Sequence, residues 1–288
     1  MSPPAAKPAT RTARPATKRA TKRKPVKRRQ PDPIKAWVRR LDRTRPGLMR
    51  WVLDGLEGFY DKPVWERRWD PTSELVLTIL TQNSADVNAE RAFVELRKAY
   101  PGGGPEMRHN PGPGWGGDGL PDGVTPDWLR VETVPLEELI EVIRPGGLPV
   151  AKAKGIQAAL RYIREQRGDH SMEFLGEMPA LEARDWLTKI PGVGKKTASV
   201  MLLFCFGTPL MPVDRHVERV SRRIGLLPKE TTKTDPHDVF LAMLQPDEMY
   251  EAHVNLIRHG RKVCHALRPE HERCPLYDRC RFVNPKAP

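Results

Sequence analysis

Residues 187–220 read LTKIPGVGKKTASVMLLFCFGTPLMPVDRHVERV. Pro191, Gly192 and Gly194 interrupt one helical pattern just before the next begins, which predicts a tight turn between two helices. The run from Lys195 to Phe206 is apolar at most positions, as is typical of a buried helix. The segment therefore predicts a hairpin of two helices whose second helix lies in the core.

The glycines of this hairpin favour an anion site. Gly192 and Gly194 carry no side chains, so backbone N–H groups at the start of the following helix can approach an anion closely. We therefore expect both glycines to contact a phosphate group.

Two adjacent lysines stand at the mouth of the second helix, and an aspartate follows at some distance. Partial burial and a neighbouring cation both disfavour an ammonium, which leaves more free amine to act as a nucleophile. Spacing alone does not choose between Lys195 and Lys196. Asp214 follows an extended segment and is expected to cap a helix over residues 215–224.

The hairpin, the lysine and the aspartate together resemble the helix-hairpin-helix and Gly/Pro-Asp signature of the endonuclease III family of DNA glycosylases. The resemblance implies that the hairpin holds a DNA phosphate, that Lys196 attacks the sugar C1′, and that Asp214 assists. It leaves Lys195 as a phosphate contact or a solvated residue. More weakly, the resemblance extends over residues 51–280.

The implied function is a bifunctional DNA glycosylase and abasic-site lyase of base excision repair. Its partner would be double-stranded DNA with a damaged base, oxidised pyrimidines by the family's habit, or an abasic site. Two alternatives stay open at this point: a monofunctional mismatch glycosylase, whose relatives generally lack the lysine, and a non-catalytic helix-hairpin-helix protein that only grips DNA.

Composition separates a basic tail from the rest of the chain. The chain has 288 residues and a formal charge of +13, and residues 1–30 hold 11 Lys and Arg without an acid, which leaves +2 for the remainder. This tail is too poor in large apolar residues to fold, so we expect disorder. It would serve as a nucleic-acid arm or as a solubilising extension. No apolar run is long enough to span a bilayer, so we expect a cytoplasmic, nucleoid-associated monomer.

Periodicity along the chain predicts an all-α protein. A helical pattern covers residues 33–56, and further helices are predicted to start at Asp70-Pro71 and near Asp86. Later helical patterns cover residues 135–143, 150–166, 181–189, 195–206, 215–224, 237–244 and 248–259. Residues 101–123 are so rich in Gly and Pro that we expect only a loop, a tolerated surface insertion.

The resemblance also implies a division into domains. A six-helix domain would span residues 63–207 and contain the hairpin. An iron–sulfur cluster domain would combine residues 31–62 with residues 208–288. The active site would lie in the cleft between these two domains.

A glycosylase must take its target nucleotide out of the duplex and refill the gap. The polar junction between two predicted helices at residues 81–86 resembles the family's gap-filling loop, and either Gln82 or Asn83 would fill the gap. Leu148 in the turn Arg144-Pro145-Gly146-Gly147 aligns with a second wedge, or is a buried contact to the next helix. Lys152 and Lys154 begin a basic helix face that could meet phosphates.

Three of the four cysteines lie in the last 25 residues, which suggests a metal or cluster site and not a disulfide framework. Cys264, His271, Cys274 and Cys280 are separated by six, two and five residues. This is the family's cluster spacing with histidine at the second position. A [4Fe–4S] cluster with His271 as a ligand, a three-cysteine cluster, zinc on a Cys₃His set and an empty site are the alternatives. Cys205 is expected to be a core thiol.

Overall fold

In the computed structural model, several helices begin with aspartate followed by proline. The structure describes residues 32–67, 69–107, 123–228 and 234–288. Asp70 Oδ1 accepts hydrogen bonds from the backbone N–H groups of Thr72 and Ser73, at 3.1 and 3.0 Å, while Pro71 takes the first helical position. A carboxylate at this position satisfies N–H groups that have no partner inside the helix, and proline at the next position sacrifices none. The predicted tail, residues 1–30, and the middle of the predicted loop, residues 108–122, lie outside the described residues.

Twelve α-helices make up most of the described chain, and the prediction of an all-α fold class is confirmed. They are α1 (Pro33–Thr44), α2 (Leu48–Tyr60), α3 (Pro71–Thr81), α4 (Asp86–Ala99), α5 (Trp128–Thr133), α6 (Leu136–Val142), α7 (Pro149–Arg167), α8 (Ala180–Leu187), α9 (Lys195–Phe206), α10 (Arg215–Ile224), α11 (Pro236–Leu241) and α12 (Met249–Lys262). Short 3₁₀ turns lie at Arg144–Gly146, Glu173–Glu177, Pro246–Glu248 and His271–Arg273.

The expectation that residues 101–123 form only a loop is wrong at both of its ends. The strands β1 (Pro101–Met107) and β2 (Gly123–Pro126) pair antiparallel, with Pro101 opposite Pro126 and Met107 opposite Gly123. A Cβ on Gly102 would lie 2.5 Å from the carbonyl oxygen of Thr125, so glycine there allows the two backbones to approach. Glycine-rich composition masked this pairing in the sequence.

Two smaller departures concern helices. The pattern over residues 33–56 is two helices, because α1 ends at Thr44 and Gly47, at φ +66°, lets the chain turn directly before α2. The six-residue helix α5 was not predicted. Its two buried members, Val131 and Glu132, are too few to make a helical period visible in the sequence.

The helices bury two apolar cores that meet at α9. One core gathers side chains between Trp69 and Leu210, and the other joins α1 and α2 to residues 200–276. Helix α9 contributes Met201 and Leu202 to the first core and Leu203 and Phe204 to the second. An apolar surface on all sides is what such a position requires. The division into two domains stays a prediction. Near its boundaries in the sequence, residues of one core give way to residues of the other.

Within the described ranges, no helix is both long enough and apolar enough to cross a membrane. Cys205 on α9 is buried, as predicted for a core thiol.

Candidate functional site

The hairpin between α8 and α9 is held by its apolar members and leaves its glycines open. Ile190 and Val193 are buried in the first core, whereas Gly192 and Gly194 are exposed. Gly192 has φ +81°, which favours glycine, but a Cβ on either glycine would meet no atom within 4 Å. Protein packing therefore does not demand Gly194. Its lack of a side chain keeps the amide groups at the start of α9 accessible.

The two adjacent lysines point to different surroundings. Lys195 Nζ lies 2.5 Å from Asp235 Oδ2 and 3.6 Å from Asp238 Oδ2, so it forms an ion pair with α11 and the residue before it. Lys196 is half-buried, and its Nζ makes no hydrogen bond or ion pair with any residue that the structure describes. The fold thus separates two residues that spacing left equivalent.

Charges around Lys196 act on its basicity in opposite directions. Burial lowers the pKa of the Lys196 ammonium below its usual value, whereas the carboxylates of Asp214, Glu74 and Asp86 raise that pKa. The nearby guanidinium of Arg261 lowers it further. Burial is the largest of these effects, so the amine form of Lys196 is more populated near neutral pH than that of an exposed lysine.

Asp214 combines a structural contact with a place near this amine. Its Oδ1 accepts hydrogen bonds from the backbone N–H groups of His216 and Val217, both at 2.8 Å, and caps α10 as predicted. The charge of Asp214 acts on Lys196, so one carboxylate oxygen holds the helix while the group as a whole faces the amine. Nδ1 of the neighbouring His216 ring lies 3.2 Å from the Arg219 guanidinium.

Two loops present the predicted gap-filling residues at the surface. The Asn83 loop (residues 82–85) joins α3 to α4, and both Gln82 and Asn83 are exposed. The Leu148 turn (residues 144–148) precedes α7, and Leu148 is 57 % exposed, which removes the alternative of a buried contact. Asn83 and Leu148 both have positive φ, +53° and +51°, which is uncommon for residues with a side chain.

Lys152 is buried and cannot meet phosphates, although its place on a basic helix face left that possibility open. Its side chain is buried, and its Nζ donates to the carbonyl oxygens of Leu80 and Gly146, both at 2.6 Å. Burial lowers the pKa of this ammonium. A buried charge costs several kcal/mol unless it is well hydrogen-bonded, so these carbonyls are needed to keep it there. Lys154, two residues further along α7, is exposed.

The four predicted cluster residues line one small cavity of about 20 Å³. Cys264, His271, Cys274 and Cys280 all face it, and none of the cysteines forms a disulfide. Buried His259 joins them, with its Nε2 3.6 Å from Cys274 Sγ. Burial, against an opposing backbone hydrogen bond from Leu276 and with smaller contributions from Cys280 and Cys264, raises the pKa of the Cys274 thiol to about 11. In the described parts of the chain, no three His, Cys, Asp or Glu side chains are placed to hold one metal ion.

Helix α10 connects this cavity to the amine. It begins at the Asp214 cap, and further along it Arg219 Nε donates to the carbonyl oxygen of Cys264 at 3.0 Å. One turn later, Arg223 donates to Cys264 Sγ at 3.3 Å and to the carbonyl oxygen of His265 at 2.7 Å. The cysteine loop is therefore fastened to the same helix that Asp214 starts.

Comparison with known proteins fits this geometry. Residues 76–239 match the HhH-GPD superfamily of base excision DNA repair proteins. The endonuclease III of Sulfolobus acidocaldarius is 30 % identical over 208 residues, which is 72 % of this chain and 80 % of that protein. The chain belongs to the endonuclease III family. It is accordingly a DNA glycosylase and abasic-site lyase of base excision repair.

Solved structures of endonuclease III on DNA share the fold. A non-covalent endonuclease III–DNA complex superimposes with a TM-score of 0.62 and 28 % identity, covering 83 % of this chain and 96 % of that one. A trapped endonuclease III–DNA covalent intermediate, an estranged-adenine complex, gives the same values. A thermostable thymine-DNA glycosylase has a TM-score of 0.60 at 16 % identity over 85 % of this chain and 98 % of that one, which shows a common fold alone.

In this endonuclease III family member, the sequence did not reveal several charged residues that act on the Lys196 amine. Glu74 is fully buried on α3, and Asp86 pairs with Arg261 at 2.8 Å between α4 and α12. All three charges act on Lys196. Glu74 stands in an otherwise apolar helical run, and this exception was the one available signal. The Asp86–Arg261 pair joins residues 175 positions apart, which periodicity cannot reveal.

Proposed function

We propose that Lys196 is the nucleophile of this glycosylase and lyase. As free amine, its Nζ attacks C1′ of an extruded nucleotide. The N-glycosidic bond breaks, and the base leaves with its electron pair and takes up the proton that the attacking amine loses. The C1′–O4′ bond then breaks, O4′ takes up a proton, and a protonated imine links lysine to the opened sugar. The imine acidifies the C2′ proton. Loss of that proton breaks the C3′–O3′ bond by β-elimination. The strand on the 3′ side of the lesion then leaves with a phosphate at its 5′ end.

The observation that carries this proposal is the state of the Lys196 amine. It is half-buried, has a lowered pKa, and lacks a hydrogen-bond acceptor within the described chain. Lys195 is committed to Asp235. An amine that is partly neutral and without a fixed acceptor is the more reactive of the two.

Asp214 is proposed to assist by charge. Its carboxylate would stabilise positive charge that develops on the sugar and would take or relay the proton. Because its Oδ1 is held by two backbone N–H groups, the position of the carboxylate is set before substrate arrives.

Duplex DNA with a damaged base or an abasic site is the proposed partner. The open amides around Gly192 and Gly194 would hold one phosphate at the N-terminus of α9. Gln82 or Asn83 would fill the gap left by the extruded nucleotide, with Leu148 as a second wedge. Oxidised pyrimidines are the proposed lesions, by family resemblance. One copy of the chain supplies every residue named, which supports action as a monomer.

A [4Fe–4S] cluster is proposed in the cysteine cavity, held by Cys264, Cys274, Cys280 and His271. Each ligand of such a cluster binds a different iron, so the ligands stand further apart than around a single ion. Four thiol and imidazole groups face one cavity, so each could bind one iron of such a cluster. The group would supply a structural crosslink that fixes the loop of residues 264–280.

Borohydride trapping tests the assignment of the nucleophile. Wild-type protein is expected to form a covalent adduct with abasic-site DNA, and Lys196→Gln is expected to lose it entirely. Lys195→Gln is the matched control, because it removes a neighbouring ammonium and should retain the adduct. An adduct with Lys196→Gln would overturn the proposal. Absence of any adduct with wild-type protein that still binds DNA would favour a binding role.

Iron and sulfide analysis of purified protein tests the cluster. About four iron and four sulfide per chain are expected. Stoichiometric zinc without sulfide would contradict the proposal. His271→Ala is expected to lower the iron content, while Cys205→Ala, which alters a thiol outside the cavity, should not.

A further inference from the structure

We propose that Lys152 is a positioning residue that holds the Asn83 loop and the Leu148 turn in one arrangement, so that both enter the duplex as a unit. The inference rests on the proposed gap-filling role of these two loops. It adds a residue that touches neither DNA nor the reacting atoms.

One ammonium fixes the base of both loops. Leu80, whose carbonyl oxygen lies 2.6 Å from Lys152 Nζ, is in the last turn of α3, two residues before Gln82. Gly146, whose carbonyl oxygen is also 2.6 Å from Nζ, lies two residues before Leu148. A lysine offers three donors, so it can join two carbonyl groups from separate elements.

A second hydrogen bond closes the connection. Ser84 Oγ, in the Asn83 loop, donates to the carbonyl oxygen of Gly146 at 2.7 Å. That carbonyl therefore accepts from Lys152 and from Ser84. Gly146 also packs closely on α4, since a Cβ there would lie 3.0 Å from Ala92 Cβ. The Leu148 turn is thus attached through Gly146, by two hydrogen bonds to one carbonyl oxygen and by close packing on α4.

The conformations of the tips require such support. Asn83 and Leu148 are exposed residues with positive φ, and such conformations persist only where the surrounding structure imposes them. Neither tip is held by burial of its own side chain. The orientation of Asn83 and Leu148 therefore depends on rigid attachment at the base of the Asn83 loop and of the Leu148 turn.

The acceptors of Lys152 indicate a connecting role more than a charge-pairing one. Both are carbonyl oxygens, and Leu80 contributes one of the last carbonyls of α3, where the helix dipole favours a cation. Methionine would fill a similar volume in this position without joining the two loops.

Lys152→Met, compared with Lys154→Met, tests the proposal. Both changes remove one ammonium from α7, but Lys154 is exposed and has no part in the attachment. For a duplex containing thymine glycol, we expect Lys152→Met to lower kcat about 10- to 100-fold with KM nearly unchanged, because displaced groups impair a step after binding. Trapping on single-stranded abasic DNA, which needs no gap filling, should change less than about twofold.

A double-mutant comparison separates positioning from general damage. In the wild type, Asn83→Ala and Leu148→Ala should be strongly non-additive, because the two tips act together. In Lys152→Met their effects should become additive. An equal loss on paired and single-stranded substrates, or a loss no larger than that of Lys154→Met, would overturn the proposal.

Ser84→Ala keeps the test decisive if Lys152→Met does not fold, as judged by circular dichroism. It removes the other donor to Gly146, and we expect a two- to five-fold loss in kcat on the paired lesion alone. Unchanged kcat would then overturn the proposal. If Asn83→Ala and Leu148→Ala have no effect even in the wild type, the gap-filling role fails instead. Loss of trapping in the wild type would identify failure of the lyase chemistry.

Discussion

Lys196 and Lys152 are both withdrawn from solvent, and burial lowers the pKa of both. Their surroundings differ. Lys152 is enclosed and donates to two carbonyl oxygens at 2.6 Å. Lys196 is half-exposed at the N-terminus of α9, with carboxylates in electrostatic range and no acceptor at hydrogen-bond distance among the described residues. Burial by itself therefore does not identify a nucleophile.

The two lysines also lie at opposite kinds of helix terminus. Lys152 sits against the C-terminal carbonyls of α3, where a cation is stabilised, whereas Lys196 stands at a helix N-terminus, where a cation is disfavoured. Burial lowers the pKa of both lysines, but the helix terminus favours the ammonium form of Lys152 and disfavours that of Lys196.

Asp214→Asn should give the largest change on the Lys196 side. Asparagine caps a helix as well as aspartate does, so α10 should remain intact while the charge facing the amine is lost. We expect the single-turnover rate of adduct formation to fall about 10²- to 10⁴-fold. Asp214→Ala, which also removes the cap, should cost about 1 kcal/mol more in unfolding free energy. A wild-type rate for Asp214→Asn would limit this residue to capping.

Opposite charge changes around Lys196 should shift its pH profile in opposite directions. Adduct formation needs the amine, so the rate rises with pH through the Lys196 pKa. Glu74→Gln removes a carboxylate that raises this pKa, so the rising limb should move to lower pH. Arg261→Gln removes a cation that lowers it and also releases Asp86 from its ion pair, so the limb should move to higher pH.

We expect each shift to be about one pH unit. The measurement is the rate of borohydride trapping from pH 5 to 10 at fixed salt. Asp214 is unchanged in both variants, so its effect on the Lys196 pKa is common to them. If the pH profiles of both variants shifted in the same direction, the Lys196 pKa would not be what determines the rising limb.

Leu148→Asn should give the smallest effect and belongs to the Lys152 side of the comparison. Leucine at φ +51° is strained, and asparagine tolerates this conformation. Since Leu148 is mostly exposed, little burial is lost, and the unfolding free energy should rise by about 0.5–1 kcal/mol. Excision from duplex should nevertheless fall. Urea unfolding measures the first effect, and lower stability would show that the turn is not strained.

Much of the active-site half could be predicted because its signals are local. The limits of α9 and α10, the Asp214 cap and the open hairpin all follow from residues within a few positions of one another. The surface position of Gln82 and Asn83 follows likewise from the polar junction between two helices, whereas for Leu148 the sequence left a buried contact open. Local rules failed at the β1–β2 pairing, where glycine-rich composition favoured a loop and long-range backbone pairing prevailed.

By itself, the sequence determined most of the helices, the hairpin, the pair of adjacent lysines and the spacing of the cysteine loop, because each depends on the chemistry of neighbouring residues. Tertiary structure alone decided which lysine is paired and which is left as an amine, that Lys152 is buried, and which charges surround Lys196. Solvent exclusion and charge are properties of the space around a group. Asp235, Leu80 and Arg261 enter that space from distant parts of the chain.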